Sequence, residues 1–308
     1  MNTAPVLAAL DCGTNSTRLL VVGADGEPLV RQVRITRLGQ GVDRTGALDP
    51  DAIGRTVSVL AEYRVTMEAL GAAGARLVAT SAVRDAANRD EFLTAASAAA
   101  GVSAEVLSGG EEGRLAYAGA TADLPPAAGA DVVVDIGGGS TELVVRGSHG
   151  VEAVSLDLGC VRLTERYLTS DPPTPAEVGA ALDRIELELS RAAAQVPALA
   201  TPPEGGRLLG LAGTVSTLSA LEQRLAAYDR ARIHHSVLSR ATVDRWCETL
   251  AAEPAAARAG RPGMVEGRQD VIVGGALVLR AVMARLGFAE CLVSESDILD
   301  GLIASQRP

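Results

Sequence analysis

Residues 132–145 have the sequence VVVDIGGGSTELVV, and this stretch decides how the chain folds. An apolar β-branched run leads into Asp135, and a glycine run, a Ser-Thr pair and a second apolar run follow. The pattern predicts a strand, a tight glycine turn and a second strand. Glycines let backbone N–H groups point one way and leave no Cβ in the path of an anion. The turn is therefore a candidate phosphate loop in which Asp135 could hold a metal ion or a water; an ordinary hairpin turn is the alternative.

The chain contains this pattern twice. Residues 11–21 (DCGTNSTRLLV) match residues 135–145 (DIGGGSTELVV), with the Asp, Gly, Ser, Thr, Leu and Val positions in common. Each copy follows an apolar run. Two such hairpins suggest two similar domains with a cleft between them, to which each domain offers one loop. The arrangement resembles the actin-like ATPase superfamily, which includes sugar kinases and actin.

Composition favours a soluble two-domain enzyme. The chain has 308 residues, of which 47% are hydrophobic and only 2% aromatic, so the cores must be built from Ala, Leu and Val. No apolar run approaches the roughly 18 residues of a membrane span, and no secretion signal is evident, so we expect no membrane partner. The four cysteines lack CxxC spacing, which predicts reduced thiols and a cytoplasmic location.

The charge balance limits the possible partners. The formal net charge is −10, which disfavours nucleic-acid binding. The sequence contains no lysine, so neither a Walker-A loop nor a kinase-type lysine is present. A polyanionic ligand would have to be bound by local arginines and a metal cation.

Several start and stop signals predict secondary structure. Asp49-Pro50 and Thr174-Pro175 begin two long helices, the second with Glu177 in a capping box. Asn88 and Glu91 have the spacing of a further capping box. Other segments are predicted as a buried strand over 76–80, a loop over 80–85, a linker over 124–129 and a loop over 197–206.

Two adjacent glutamates follow the strand predicted at 104–107. Ser108 and Glu111 have capping-box spacing, so Glu111 is expected to cap its own helix. Glu112 points about 100° around the helix axis from Glu111, and the cap does not explain it. It is the candidate general base if that direction is the cleft; a solvated surface glutamate is the alternative.

Three further features come later in the chain. Residues 207–216 predict a strand, a Gly213-Thr214 turn and a helix. The turn is either a third phosphate loop or an ordinary connection between the strand and the helix. Trp246 has helical spacing to Val243 and Leu250, which indicates a core position. The adjacent histidines 234 and 235 have no metal-type partner nearby in the sequence and are interpreted as a structural or surface pair.

Taken together, the motifs resemble those of the Ppx/GppA family of exopolyphosphatases and guanosine-pentaphosphate phosphohydrolases. They are DCGTNSTR at 11–18, TSAVRDAAN at 80–88, LSGGEEGRLAY at 107–117, DIGGGSTE at 135–142, LGCVRLTE at 158–165 and GLAGT at 210–214. The resemblance covers nearly the whole chain, in the short form without C-terminal helical domains. It implies an α/β fold of two actin-like, ribonuclease H-like domains, with mixed β-sheets flanked by helices and an active site in the interdomain cleft. We expect domain I over 1–124, with the last helix (298–308) packed back on it, and domain II over 125–297.

The resemblance also implies roles for individual residues. Glu112 would activate the attacking water. Asp135 and Glu142, with Asp11, would hold Mg²⁺ or Mn²⁺. Arg84 would bind phosphate oxygens as a fork, and Arg18 and Arg268 are weaker candidates for the same task. The remaining phosphate-binding candidates are Thr14, Asn15, Ser16, Gly137, Gly138, Gly139, Ser140, Gly213 and Thr214.

Three functions follow from this assignment. The first is Mg²⁺-dependent release of terminal phosphate from inorganic polyphosphate. The second, in the same class of chemistry, is hydrolysis of pppGpp to ppGpp. The short architecture and the absence of an evident guanine-binding aromatic platform favour polyphosphate over this alternative. The third is a non-catalytic alarmone or nucleotide sensor on the same scaffold, and retention of both Glu111 and Glu112 argues against it. The resemblance further implies a homodimer.

Overall fold

Each half of the chain contains a three-stranded meander that is built around one copy of the repeated hairpin. The computed structural model describes residues 4–147, 150–200 and 204–307. Part of the loop predicted over 197–206, residues 201–203, and the last residue of the helix predicted to reach 308 lie outside these ranges. Contacts between Cα atoms group the described residues of 1–119 and 298–308 into a first unit and those of 120–297 into a second unit.

The strands and helices of the N-terminal part follow the predicted hairpin. In chain order they are β1 Leu7–Cys12, β2 Ser16–Val22, β3 Pro28–Ile35, α1 Val42–Thr45, α2 Pro50–Ala69, β4 Gly74–Ala79, α3 Ser81–Asp85, α4 Arg89–Ala100, β5 Ala104–Val106 and α5 Gly109–Thr121. The strands pair in the order β3-β2-β1-β4-β5, with β1, β2 and β3 antiparallel and β4 and β5 parallel to β1. The sheet is therefore mixed, as predicted.

The remaining elements repeat this plan. They are β6 Val132–Ile136, β7 Thr141–Gly147, β8 Gly150–Leu156, α6 Cys160–Tyr167, α7 Pro175–Gln195, a 3₁₀ turn Pro197–Leu199, β9 Leu208–Leu211, α8 Ala212–Glu222, α9 Arg230–Ile233, β10 Val237–Ser239, α10 Arg240–Ala251, α11 Ala255–Ala259, α12 Ile272–Arg285, β11 Glu290–Val293 and α13 Ile298–Ser305. The second sheet has the order β8-β7-β6-β9-β11-β10. Its first five positions repeat the order of the first sheet, which confirms the duplicated α/β fold.

The two cores are rich in Leu, Val and Ala, as the composition predicted. In the first unit α2 and α4 pack together beside the sheet, around Leu10, Leu60, Tyr63 and Phe92. In the second unit α12 is apolar on nearly every side and packs against α6, α7, α8 and α10. Within the described ranges no helix combines the length and hydropathy needed to cross a bilayer.

Two local predictions were wrong. Residues 81–85, predicted as a loop, form the short helix α3, because the Thr80 carbonyl accepts from the N–H groups of Val83 and Arg84 at 3.1 and 3.0 Å. Asn88 does not cap α4 with its side chain. Its amide instead bonds the backbone of Leu48, accepting from the N–H at 2.8 Å and donating to the carbonyl at 3.0 Å.

Candidate active site

The two glycine hairpins have the same turn. In the first unit the Gly13 N–H donates to the Ser16 carbonyl at 3.0 Å, and in the second the Gly137 N–H donates to the Ser140 carbonyl at 3.0 Å. The strands on either side are in the same register, so that Asp11 pairs with Arg18 and Asp135 with Glu142. The repeat in the sequence is therefore a repeat in backbone geometry.

The carbonyl groups of both turns are bound by neighbouring protein segments. In the first unit the carbonyls of Thr14 and Asn15 accept from backbone N–H groups of residues 36, 37 and 39 at 2.8–3.2 Å. In the second unit the carbonyls of Gly137 and Gly138 accept from the first N–H groups of α6, residues 160–162, at 2.9–3.1 Å. The Arg162 Nε donates to the Gly139 carbonyl at 2.7 Å. Each turn is thus held from its carbonyl side.

The N–H groups of the same turns have no such partners. Within the described part of the chain, the backbone N–H groups of Thr14, Asn15, Gly138 and Gly139 find no protein acceptor. The side-chain Nδ2 of Asn15 is also buried without an acceptor in those residues. Successive backbone N–H groups of a turn that are not used within the protein are a common way to bind an anion. Both turns therefore fit phosphate oxygens.

Glu111 and Glu112 have different surroundings in the first unit, and the predicted cap at Glu111 is confirmed. Glu111 forms the capping box: its carboxylate accepts from the Ser108 N–H at 3.0 Å and hydroxyl at 2.6 Å, and the Glu111 N–H donates back to the Ser108 Oγ at 3.3 Å. These bonds lower the pKa of the exposed Glu111 carboxyl. Glu112 is buried, with 9% of its surface exposed. It is therefore not the solvated surface glutamate that was the alternative.

Arg84 contacts Glu112. The Arg84 Nη1 donates to the Glu112 Oε2 at 3.2 Å and to the Leu107 carbonyl at 3.0 Å. Arg84 occupies the last turn of α3, and Leu107 directly follows β5. The short helix that the sequence did not predict thus carries the arginine to the buried carboxylate. A guanidinium in this position favours the ionised form of a carboxylate, which is the form that accepts a proton.

Asp11 is neutralised by its neighbour across the first hairpin. Its Oδ2 accepts from the Arg18 Nε at 2.8 Å and Nη2 at 2.6 Å, and the side chain is 1% exposed. Arg18 therefore occupies the position from which a second carboxylate would bind a metal ion. The side chains next to the N–H groups of the first turn are thus an acid and a base, Asp11 and Arg18, that form an ion pair.

The second hairpin instead presents two acids. Asp135 and Glu142 lie directly opposite each other across β6 and β7, and they are 7% and 1% exposed. Ser155, on β8, donates to the Glu142 Oε1 at 2.7 Å. Like charges that are directly opposed on one face of a hairpin destabilise it. Two oxygen ligands of this kind fit a hard divalent cation.

The Gly213-Thr214 turn is joined to Arg268. α8 begins at Ala212, whose φ is 65°, and Gly213 follows. A Cβ on Gly213 would lie 1.9 Å from the Arg268 Cζ, so the guanidinium rests directly on the glycine backbone. Only glycine allows this approach. Thr214 is buried beside them, so the weaker candidate Arg268 is grouped with the third loop.

The loops of the second unit lie at one edge of its sheet. β6, β9 and β11 are parallel, and Asp135 is in register with Leu211, immediately before the Gly213 turn. The carboxyl ends of parallel strands are the usual position of ligand sites in α/β sheets. Cysteine chemistry does not contribute, because burial raises the pKa of each of the four thiols.

The two adjacent histidines have a partner that the sequence did not reveal. Asp123, 111 residues away, accepts from the His234 Nε2 at 2.9 Å, and its Oδ2 lies 3.7 Å from the His235 Nε2. The Glu295 N–H donates to the His234 Nδ1 at 3.0 Å. Because that nitrogen is an acceptor, the neutral ring carries its proton on Nε2, where a metal would otherwise bind. These hydrogen bonds hold His234 in place, in agreement with the interpretation of the two histidines as a structural or surface pair.

Comparison with known proteins agrees with the motifs. A model described as the Ppx/GppA phosphatase family matches residues 21–308. Exopolyphosphatase 2 of Mycobacterium tuberculosis is 46% identical over 317 residues, covering 97% of this chain and 98% of that protein. A crystal structure of an exopolyphosphatase-like protein has a TM-score of 0.91 and 34% identity, covering 98% of both chains. The structure of the Aquifex aeolicus Ppx/GppA family member has a TM-score of 0.80 and 33% identity, covering 98% of this chain and 97% of that chain. The chain therefore belongs to the Ppx/GppA phosphatase family.

Proposed function

We propose that the protein is an exopolyphosphatase that hydrolyses the terminal phosphoanhydride bond of inorganic polyphosphate. The observation that carries the proposal is the pair formed by Arg84 and the buried Glu112, beside a neighbouring glutamate that is already used as a cap. A protein that only binds its ligand would need Glu111 as a helix cap. It would have no use for Glu112, a second carboxylate that is buried and bound by an arginine. The name of the Mycobacterium tuberculosis relative supports the choice of substrate.

Glu112 acts as the general base in this proposal. It accepts a proton from the attacking water while the water oxygen bonds to the terminal phosphorus. The bridging P–O bond breaks, and its electron pair stays on the shortened chain. Arg84, through its bond to the Glu112 Oε2, keeps the carboxylate ionised and oriented. It is therefore a positioning residue as well as a candidate phosphate ligand.

Backbone donors bind the phosphates. The N–H groups of Thr14 and Asn15 in the first hairpin and of Gly138 and Gly139 in the second are already oriented by the bonds that hold their carbonyls. Such donors need no reorganisation when negative charge develops on the phosphoryl oxygens. The hydroxyls of Ser16, Ser140 and Thr214 and the guanidinium of Arg268 complete the proposed set.

Asp135 and Glu142 would hold Mg²⁺ or Mn²⁺. The fit rests on their opposed, buried carboxylates and on the all-oxygen donor set. When bound, the cation would offset substrate charge and polarise the scissile phosphoryl group. Asp11 is the weaker ligand, because its carboxylate is paired with Arg18. We further propose that the protein acts in the cytoplasm, as a homodimer, without nucleic-acid or membrane partners.

The test is phosphate release by the purified protein with Mg²⁺, using short polyphosphate, long polyphosphate, pppGpp and ATP side by side. We expect release from polyphosphate that is lost in Glu112→Gln. Faster turnover of pppGpp than of any polyphosphate would replace the proposal with pppGpp hydrolysis. Tight binding of either anion without release would make the protein a sensor.

A further inference from the structure

The segment LGCVRLTE at residues 158–165 supplies no residue to the proposed reaction, yet it packs against the second glycine turn. Gly159 lies so close to this turn that a Cβ would meet the Gly138 carbonyl oxygen at 2.1 Å. Its backbone is extended, so a glycine is needed here for space and not for its conformation. α6 begins directly after Gly159 and is anchored by the buried residues Cys160 and Leu163. α6 is therefore a fixed support for the turn.

Three successive carbonyl groups of the turn point at α6. The carbonyls of Gly137 and Gly138 accept from the backbone N–H groups of residues 160–162 at 2.9–3.1 Å. The carbonyl of Gly139 accepts from the Arg162 Nε at 2.7 Å. In a planar trans peptide the N–H points away from the C=O of the same peptide unit. The N–H groups that follow these carbonyls, those of residues 138–140, therefore all point away from α6.

The matching carbonyl of the first hairpin is held in a different way. Asn15 occupies the position of Gly139, and its carbonyl accepts from two backbone N–H groups at 3.2 and 3.0 Å. Backbone donors are present whatever the side chain is. The donor to the Gly139 carbonyl is instead a side chain. The orientation of the peptide between Gly139 and Ser140 thus depends on which residue stands at position 162.

The Arg162 guanidinium also affects how strongly this peptide can donate. Hydrogen bonds from a charged donor are stronger than neutral ones, and hydrogen bonds in a chain polarise one another. A guanidinium on the Gly139 carbonyl therefore makes the Ser140 N–H a better donor. This N–H has no acceptor in the protein, as far as the described residues extend.

We propose that Arg162 is a positioning residue for phosphoryl transfer, which holds the peptide between Gly139 and Ser140 so that the Ser140 N–H donates to the bound phosphate. The proposal rests on the proposed function. Arg162 does not touch the substrate. It adds the Ser140 N–H to the donors of Gly138 and Gly139, and fixed donors of this kind stabilise the charge that develops on the phosphoryl oxygens.

Three substitutions at position 162 separate the hydrogen bond from the charge. Arg162→Gln keeps an N–H donor at the position of the arginine Nε and removes the charge, because both nitrogens follow the third side-chain carbon. Arg162→Lys keeps the charge but has a methylene group at that position. Arg162→Met has a methyl group there and no charge. Arg166→Met, at an exposed position on the same helix, is the control for loss of charge.

The measurements are kcat/KM for phosphate release from polyphosphate with Mg²⁺, and Tm. We expect kcat/KM to fall about tenfold in Arg162→Met and Arg162→Lys, the effect of losing one hydrogen bond, and less than about threefold in Arg162→Gln. Arg166→Met should match the wild type. A purely structural role would lower Tm without this order of rates, and that result would contradict the proposal.

Two further results would also overturn it. Higher activity of Arg162→Lys than of Arg162→Gln would mean that the charge acts on the substrate directly. Equal activity of all variants would mean that the bond to the Gly139 carbonyl has no role in the reaction. If Arg162→Met does not fold, the comparison of the lysine and glutamine variants decides the question.

Failure of the proposed function gives a different result. The wild type would then release no phosphate, and the Kd of tripolyphosphate for the same variants would test Arg162 alone. Weaker binding by Arg162→Met and Arg162→Lys than by Arg162→Gln would support its role in orienting the turn. Equal Kd values would remove that role.

Discussion

Asp135 and Glu142 face each other on β6 and β7 at the positions that Asp11 and Arg18 occupy on β1 and β2. The two hairpins share a turn geometry and a register, so the charges at these matching positions can be compared directly. The first hairpin pairs an acid with a base, whereas the second places two acids opposite each other. These two oxygen donors are the reason why we propose the cation at the second hairpin.

Glu142→Gln tests this assignment without an activity assay. The glutamine keeps an oxygen that can accept from Ser155, but it removes the charge of one of the two proposed ligands. The increase in Tm that Mg²⁺ gives the wild type should therefore disappear. Thermal unfolding with and without Mg²⁺ measures this effect. Glu290→Gln, at an exposed position on the same sheet, should keep the full Mg²⁺ response. A Glu142→Gln protein that Mg²⁺ still stabilises would move the cation elsewhere.

Glu112→Gln should lower kcat by a factor of about 10²–10⁴, the usual range for loss of a general base, while Tm stays near that of the wild type. Glu111→Gln should show the reverse pattern, with a small loss of rate and a slightly lower Tm. The amide oxygen can still accept from Ser108, but the negative charge at the N-terminus of α5 is lost. Because hydrogen bonds from Ser108 lower the pKa of Glu111, its contribution is complete above the ordinary carboxyl pKa and is lost as pH falls below it. Similar rate losses in the two variants would contradict this division.

Arg84→Gln should lower kcat and move the acid limb of the pH–rate profile to higher pH. The reason is that the guanidinium on the Glu112 Oε2 stabilises the ionised base, so its loss lets the base take up a proton at higher pH. The role that the resemblance implied for this arginine, binding of phosphate oxygens, would instead mainly raise KM. Arg114→Gln, exposed on the same helix as Glu112, is the matched control and should leave the profile in place. An Arg84→Gln profile that differs only in KM would restrict Arg84 to substrate binding.

Gly213→Ala should raise KM at least about tenfold, because the added Cβ displaces the Arg268 guanidinium from its place over the loop. Gly179→Ala is the matched substitution: it lies on α7 with no atom near the added Cβ. It should stabilise the protein by about 0.5–1 kcal/mol, the helix preference of Ala over Gly, and leave kinetics unchanged. Steady-state kinetics and Tm of both variants decide whether the close approach at Gly213 has a functional role.

His235 should make the protein less stable in mild acid. Burial and the neighbouring His234 lower its pKa, so the folded protein binds fewer protons than the unfolded chain once pH falls below the ordinary histidine pKa of about 6.5. Stability is therefore constant above this pH and declines below it. His235→Asn should flatten the decline of Tm between neutral pH and about pH 5, and Asn accommodates the φ of 61° at this position. An unchanged slope would assign the acid sensitivity to other groups.

Local signals predicted most of the fold. The two hairpins, the capping boxes at Ser108 and Thr174 and the Asp49 cap all depend on residues within a few positions of each other, and all are present. Asn88 shows the limit of such signals, because its side chain is bonded to Leu48, which approaches only in the folded protein.

The contacts that define the site were beyond sequence reasoning for the same reason. Arg84 and Glu112 are 28 residues apart, and their contact depends on how α3 leaves β4. His234 and Asp123 are separated further still. In the sequence, the only sign of the close approach of Arg268 to Gly213 is the glycine itself. A glycine at this position was equally consistent with a simple turn. Residue types were predictable, but pairing across the fold was not.

The return of α13 to the first unit has a consequence for synthesis of the protein. This helix packs against β1 and β2, Arg31 on β3 binds Asp300 at 2.7 Å, and Gln306 donates to the Ala8 carbonyl at 2.9 Å. Domains generally fold in the order in which the ribosome makes them. Here part of the first unit is translated after the second unit, so the second unit can be complete in the nascent chain before the first. A ribosome that stalls or terminates before residue 298 would release a finished second unit attached to a first unit with an uncovered sheet.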